Sequence, residues 1–232
     1  MRMADTLFLD FEGEGPKGPG RIPQLPFLAG LYRPKADGRK SQFSVSLFRE
    51  HCTPVKNGIP EILEITTLEA FIARITEQAE TEGLTIGYWS DHELKIVKRF
   101  LPGLLEQFKA VSINVKVEAD RYLNRQGQSA TDSGDKALNA YLSALCPAAA
   151  QVSAPTLGAA KSCARLEHYS LKEKKWGNWT NQQKHIGKEL VRYNREDCVA
   201  TAKIMRKILS SPARLKRDAK YTAKTTSRGE SE

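Results

Sequence analysis

Apolar and polar positions alternate in some stretches of this chain and recur at helical spacing in others. Residues 6–12 (Thr-Leu-Phe-Leu-Asp-Phe-Glu) alternate and predict a strand, followed by a Gly/Pro-rich loop over 13–26. Residues 27–33 and 42–48 predict two more strands, with Gly38 in the turn between them; 51–60 reads as a Pro/Gly loop. Leu68, Phe71, Ile72 and Ile75 recur at helical spacing and predict a helix over 67–82. A short strand is expected at 84–89 and a helix at 91–101, stopped by Pro102. A further helical turn or two is expected at 104–110 and a strand at 111–117. The stretch 124–165 is weakly patterned, with a helix at 135–145 and an Ala/Pro/Ser-rich segment at 147–160. Residues 184–209 form a long, well-patterned helix. There is no internal repeat. Three early strands followed by alternating helices and strands predict an α/β fold: one domain over 1–210, a mixed sheet with helices packed on it.

Composition agrees with a packed core. Of 232 residues, 40% are hydrophobic and 27% charged, which excludes a chain disordered throughout. Asp5 and Asp10 interrupt any signal-peptide core, and no apolar run approaches the roughly 18 residues that span a bilayer. The cysteines (Cys52, Cys146, Cys163, Cys198) form no Cys-x-x-Cys pair, which argues against a disulfide framework or a Cys-rich zinc site. The expectation is a soluble, cytoplasmic protein with no membrane partner. The net charge of +9 favours polyanions, nucleic acid before membrane. From Arg206 onward, eight basic residues against three acidic ones leave +5, so over half the charge sits at this end. Residues 211–232 are expected to be a disordered basic tail, either simply solvated or a non-specific arm for phosphates.

Candidate chemistry lies in three places. In a strand over 6–12, Leu7, Leu9 and Phe11 point one way while Phe8, Asp10 and Glu12 point the other, so two carboxylates share one face. Like charges on a partly buried face raise each other's pKa, and a divalent cation relieves the penalty. Alone, Asp-x-Glu is common and more often marks a solvated strand end. On the last helix an apolar stripe (Ile186, Leu190, Ala200, Ile204, Ile208) also carries Tyr193 and Asp197, one turn apart. A carboxylate on a core-facing stripe is costly unless paired or metal-bound; a local tyrosine–aspartate hydrogen bond would also satisfy it. Third, Ser90-Asp91-His92-Glu93 fits a capping box, yet Glu93 shares its helix face with Val97 and Phe100 and follows a strand's C-terminal end. Asp91 competes as the acid of this segment, but it lies in line with Lys95 and Lys98, and Glu93 is preferred.

The glycines at 13, 15 and 18 have G-x-G-x-x-G spacing. The prolines at 16, 19, 23 and 26 preclude the helix a dinucleotide site needs, so this loop is expected to be a rim. His51-Cys52 and Cys163 with His168 match no common zinc spacing, and Cys198 is expected to be an inert buried thiol. Trp176 and Trp179, among lysines, suit either base stacking or the core, and the core is favoured for at least one.

In their order along the chain, these motifs resemble the proofreading-type DEDD nucleases of the ribonuclease H-like superfamily. Asp10-x-Glu12 matches the first motif and Tyr193-x-x-x-Asp197 the third, as in the DEDDy branch. The second departs from the family: Glu93 stands where aspartate is usual and Trp89 where asparagine is usual. The chain is also similar to the YprB-like group, in which a Ser-Leu-Lys segment, here Ser170-Leu171-Lys172, precedes the last helix. The resemblance covers about residues 5–209, apart from an irregular insertion at 124–165. It implies a ribonuclease H-like fold and a metal-dependent nuclease, foremost a 3′–5′ exonuclease on single-stranded DNA or RNA ends. It further implies two Mg²⁺ or Mn²⁺ ions held by Asp10, Glu12, Glu93 and Asp197, and a water oriented or deprotonated by Tyr193. Lys184, Lys188 and Arg192 suit either phosphate contacts or a solvated face, and His92 is out of place for a site histidine. The alternatives are an endonuclease on the same scaffold and a catalytically inactive nucleic-acid-binding module.

Overall fold

The computed structural model describes residues 2–15, 23–34, 40–128 and 138–211. The expected turn at Gly38, half of the rim loop (16–22) and the basic tail from residue 212 lie outside these.

The chain forms strands β1 (Thr6–Glu12), β2 (Leu28–Arg33) and β3 (Gln42–Leu47), helix α1 (Thr53–Gly58), strand β4 (Ile62–Ile65) and helix α2 (Leu68–Glu82). Strand β5 (Thr85–Tyr88), helices α3 (Asp91–Phe100) and α4 (Leu105–Val111), and the short strand β6 (Ser112–Asn114) follow. Helices α5 (Val115–Asn124), α6 (Leu138–Leu145), α7 (Ala159–Lys172) and α8 (Asn181–Leu209) complete it. The strands make one mixed sheet in the order β4-β3-β2-β1-β5-β6. Only β2 runs against its neighbours, pairing antiparallel with β1 and β3; β3–β4, β1–β5 and β5–β6 are parallel.

The alternation expected for β1 is present. Leu7, Leu9 and Phe11 pack with Ile72 and Ile75 of α2, Ile96 and Val97 of α3 and Phe108 of α4 on one face. Phe8 points to the other face, among residues of α5, α6 and α8. Farther along that second face, Val45 and Leu47 of β3 meet Val55 of α1, Leu166 of α7 and Leu190 of α8. Helix α8 is the main cover of this face, and Ile186, Leu190, Ala200, Ile204 and Ile208 are all buried as its stripe predicts. It starts at Asn181, before residue 184, because Thr180 and Gln183 form a reciprocal capping box.

Several expectations change. The 51–60 loop contains α1, with Pro54 in its first turn, where a missing N–H costs nothing. Strand β4, four residues long, was too short for its period to be read. The strand expected over 111–117 ends at Asn114, whose side chain accepts from Val117 N–H at 3.1 Å and opens α5. The 135–145 helix corresponds to α6 within the described residues. Helix α7 was not foreseen, because Ser162, Cys163 and Ser170 fill buried positions where apolar residues would have marked the period.

Candidate metal centre

The two halves of the candidate site meet because α8 crosses the second face of the sheet at β1 and β2. Asp10 and Glu12 stand on that face at the C-terminal end of β1, and Asp197 projects from α8. Carboxylate oxygens of Asp10, Glu12 and Asp197 all lie within 4.8 Å of one another. Glu93, outside that set of mutual distances, approaches from the first turn of α3, just past the C-terminal end of β5, the neighbour of β1, and its charge acts on Asp10 and Glu12. Its carboxylate is almost fully buried, 2% exposed, and is held by the backbone of Ser90, of Glu93 itself and of Phe11, the residue between Asp10 and Glu12. The Ser90 hydroxyl approaches it at 3.5 Å.

The electrostatics describe acids crowded together. Burial, then the charges of Glu12, Asp197 and Glu93, push the Asp10 carboxyl well above the usual range, and the Asn194 amide only partly offsets this. Burial, then Asp197 and Glu93, likewise raises Glu12. Burial lifts Glu93 to about 7 and Asp197 to about 7, the latter aided by the Glu196 charge and opposed by a hydrogen bond from Tyr193. Among the described residues, every charge that acts appreciably on Asp10 is another carboxylate. Such a set strongly favours a bound cation, and all-oxygen donors suit Mg²⁺ or Mn²⁺. The residues present therefore fit divalent ions.

Tyr193 lies one turn before Asp197, within hydrogen-bonding reach of it. Burial, then the Asp197, Glu12 and Asp10 charges, drives its phenol far above its ordinary value, so it stays neutral.

Asp91 is exposed and accepts from Asn114 Nδ2 at 2.8 Å, outside the cluster. Lys184 donates to the Gly177 carbonyl at 3.0 Å, Arg192 pairs with Glu196 at 2.6 Å and Lys188 is exposed. His92 is half-buried, its pKa lowered by burial and then by Lys95. Cys198 is buried with Sγ 3.7 Å from the Gly30 carbonyl, and burial raises its pKa, as expected for an inert thiol. Trp179 is buried, its Nε1 donating to Glu173 O at 3.1 Å, and Trp176 packs beside it at 5.0 Å between ring centroids. Both belong to the core next to α1 and α7.

One residue was assigned no role from sequence. Asn194, fully buried, donates through Nδ2 to Asp10 Oδ2 at 2.6 Å and to Asp10 O at 3.1 Å. Its signal was available: it lies on the buried side of α8, four residues after Leu190 and seven before Thr201, where an amide needs a partner. Comparison of the chain with protein-family models, with curated proteins and with solved structures returned no match.

Proposed function

We propose that this chain is a metal-dependent nuclease of the ribonuclease H-like type, hydrolysing phosphodiester bonds and acting foremost as a 3′–5′ exonuclease on single-stranded DNA or RNA ends. The observation that carries the reading is the convergence of Asp10, Glu12 and Asp197, with Glu93 beside them, in one largely buried cluster drawn from β1, α3 and α8. Acids from three elements, the outermost more than 180 positions apart in the chain, meet, and among the described residues the charges that act on Asp10 are carboxylates alone. A fold has no stability reason to assemble them, since each desolvated carboxylate is costly. The mixed sheet with helices on both faces, reached after three early strands, supports the same reading.

Asp10, Glu12, Glu93 and Asp197 would hold the metal. Two divalent ions in such a site supply Lewis acidity that activates a water and stabilises the leaving 3′ oxygen. The chain's own contributions are positional. The β1 alternation puts Asp10 and Glu12 side by side, the Ser90 cap and the Phe11 backbone hold Glu93, and α8 brings Asp197 onto β1. Tyr193 offers a hydroxyl beside Asp197 that would orient the attacking water or help deprotonate it.

The test incubates the protein with end-labelled single-stranded DNA, duplex DNA and RNA, with Mn²⁺, Mg²⁺ or EDTA, beside Asp10→Asn. Metal-dependent cleavage lost in the variant is expected, and the product ladder separates exonuclease from endonuclease. Binding without cleavage under either metal would sink the nuclease reading for these substrates and leave a nucleic-acid-binding module.

A further inference from the structure

The side chain of Asn194 is held in an arrangement that packing alone does not require. Its Nδ2 reaches two acceptors on a single residue, the carboxylate and the main-chain carbonyl of Asp10. Its Oδ1 is buried with no hydrogen-bond partner. That oxygen rests on Gly30, the residue paired with Asp10 across β1 and β2. A Cβ built on Gly30 would stand 1.7 Å from Oδ1 and 2.8 Å from Cγ of Asn194, so no other residue fits there while Asn194 is in place.

Two local rules are broken to make this contact. A glycine sits inside a central strand, where it weakens the strand, and an amide oxygen is buried unsatisfied. An apolar side chain at 194 facing an alanine at 30 would break neither. What the pair delivers is a two-point grip. By bonding the carboxylate and the carbonyl of Asp10 together, Nδ2 fixes the side-chain torsions of Asp10 relative to its own backbone. The chemistry selects the residue: an aspartate at 194 would add another acid, and a serine is too short to span both acceptors. The grip also pins α8 to β1 at the place where Tyr193 and Asp197 flank it in sequence.

We propose that Asn194 is the positioning residue for Asp10, and that Asn194 and Gly30 form a matched pair presetting the Asp10 carboxylate to bind a divalent cation. The inference rests on the metal-binding reading of the site. Outer partners of this kind commonly change metal affinity by about 10–100-fold when removed.

The test measures Mn²⁺ affinity of the full chain by electron paramagnetic resonance, with Tm in EDTA alongside. The variants are Asn194→Leu, Asn194→Ala, Gly30→Ala and the Gly30→Ala/Asn194→Ala double. Leucine keeps the volume, discards the donor and removes the orphan oxygen. Asn194→Leu is expected to hold its EDTA Tm close to wild type while Mn²⁺ affinity falls about 10–100-fold. Gly30→Ala should lose affinity alone, yet add little to Asn194→Ala, because the oxygen it collides with is gone and only the Phe43 ring, 3.0 Å from the new Cβ, must give by a few tenths of an ångström. Wild-type affinity in both Asn194→Leu and Asn194→Ala, or affinity losses that merely track lost stability, would overturn the assignment while leaving the metal site standing. Failure of the wild-type chain itself to bind Mn²⁺ would overturn the metal site and this inference together.

Discussion

Glu93 and Asp91 are two residues apart and meet opposite environments. Asp91 is exposed and bonded to Asn114, whereas Glu93 is buried against β1 with its pKa lifted to about 7. Glu93→Gln is therefore expected to lower metal-dependent cleavage more than removal of an outer partner does, by more than about a hundredfold. Asp91→Asn should stay within a few-fold of wild type; an equal loss in both would refute the choice of Glu93. Tyr193→Phe should leave Mn²⁺ affinity unchanged and reduce kcat by about tenfold or more, since the hydroxyl is assigned to the attacking water and not to the metal. The raised acids also set a pH dependence. Glu93 and Asp197 move from ordinary values of 4.5 and 3.8 to about 7 on folding, so the folded state binds more protons than the unfolded one in between. Their contribution to stability is present below about pH 4 and lost as pH rises through about 7, a change on the order of a few kcal/mol. Thermal melts in EDTA should thus show Tm falling from pH 5 to 8, and Asp197→Asn should flatten the fall. A Tm rising across that interval would contradict the burial of these acids.

At the scale of elements, two structures do the positioning. Strand β1 holds its acids on one face because its other face is committed to Leu7, Leu9 and Phe11 in the core. A one-residue slip in register would bury the acids there instead. Helix α8 is aimed by its start as well as by its stripe: Thr180 accepts from Gln183 N–H at 3.2 Å and Gln183 Oε1 accepts from Thr180 N–H at 2.8 Å. Thr180→Ala is expected to cost about 1 kcal/mol in urea unfolding, with the Mn²⁺-induced Tm shift preserved. Helix α1 carries a tighter constraint, because a Cβ on Gly58 would lie 2.0 Å from the Trp176 indole. That contact keeps residue 58 small, because the half-buried Trp176 ring lies against it.

Taken whole, the molecule places a cluster of acids within a chain of net charge +9. The basic groups on α8 that line shallow surface hollows, Arg192 and Arg195 among them, lie outside the acid cluster, with Arg192 already paired to Glu196. Beyond Ser211 the sequence adds six basic and three acidic residues. Removing residues 212–232 should weaken nucleic-acid binding and make its salt dependence shallower, while the metal-induced Tm shift stays as in the full chain. An unchanged salt slope would assign those charges to solubility alone. Among the described residues, no helix is long and apolar enough to cross a membrane.

The features legible from residues alone are those whose period is set by covalent geometry. The two-residue repeat of residues 6–12 put Asp10 and Glu12 on one face, and the helical repeat of 184–209 put Tyr193 and Asp197 on one stripe. These hold because side-chain direction follows from local backbone geometry whatever lies across from it. Elements whose signal depended on distant partners were not legible: four-residue β4 is a strand because β3 is there to pair with it, and α7 buries serines and a cysteine that only its neighbours make interior. Residues 115–117 looked like strand because Val115 and Val117 alternate, until the Asn114 cap turned them into helix. Only the tertiary structure decided that Glu93 rather than Asp91 faces the acids, and that Asn194 grips Asp10 across 184 positions of chain. It also gave Gly30 its reason, since a glycine inside a strand has no meaning until the oxygen resting on it is known. Such pairings are contacts between elements, and no local period encodes them.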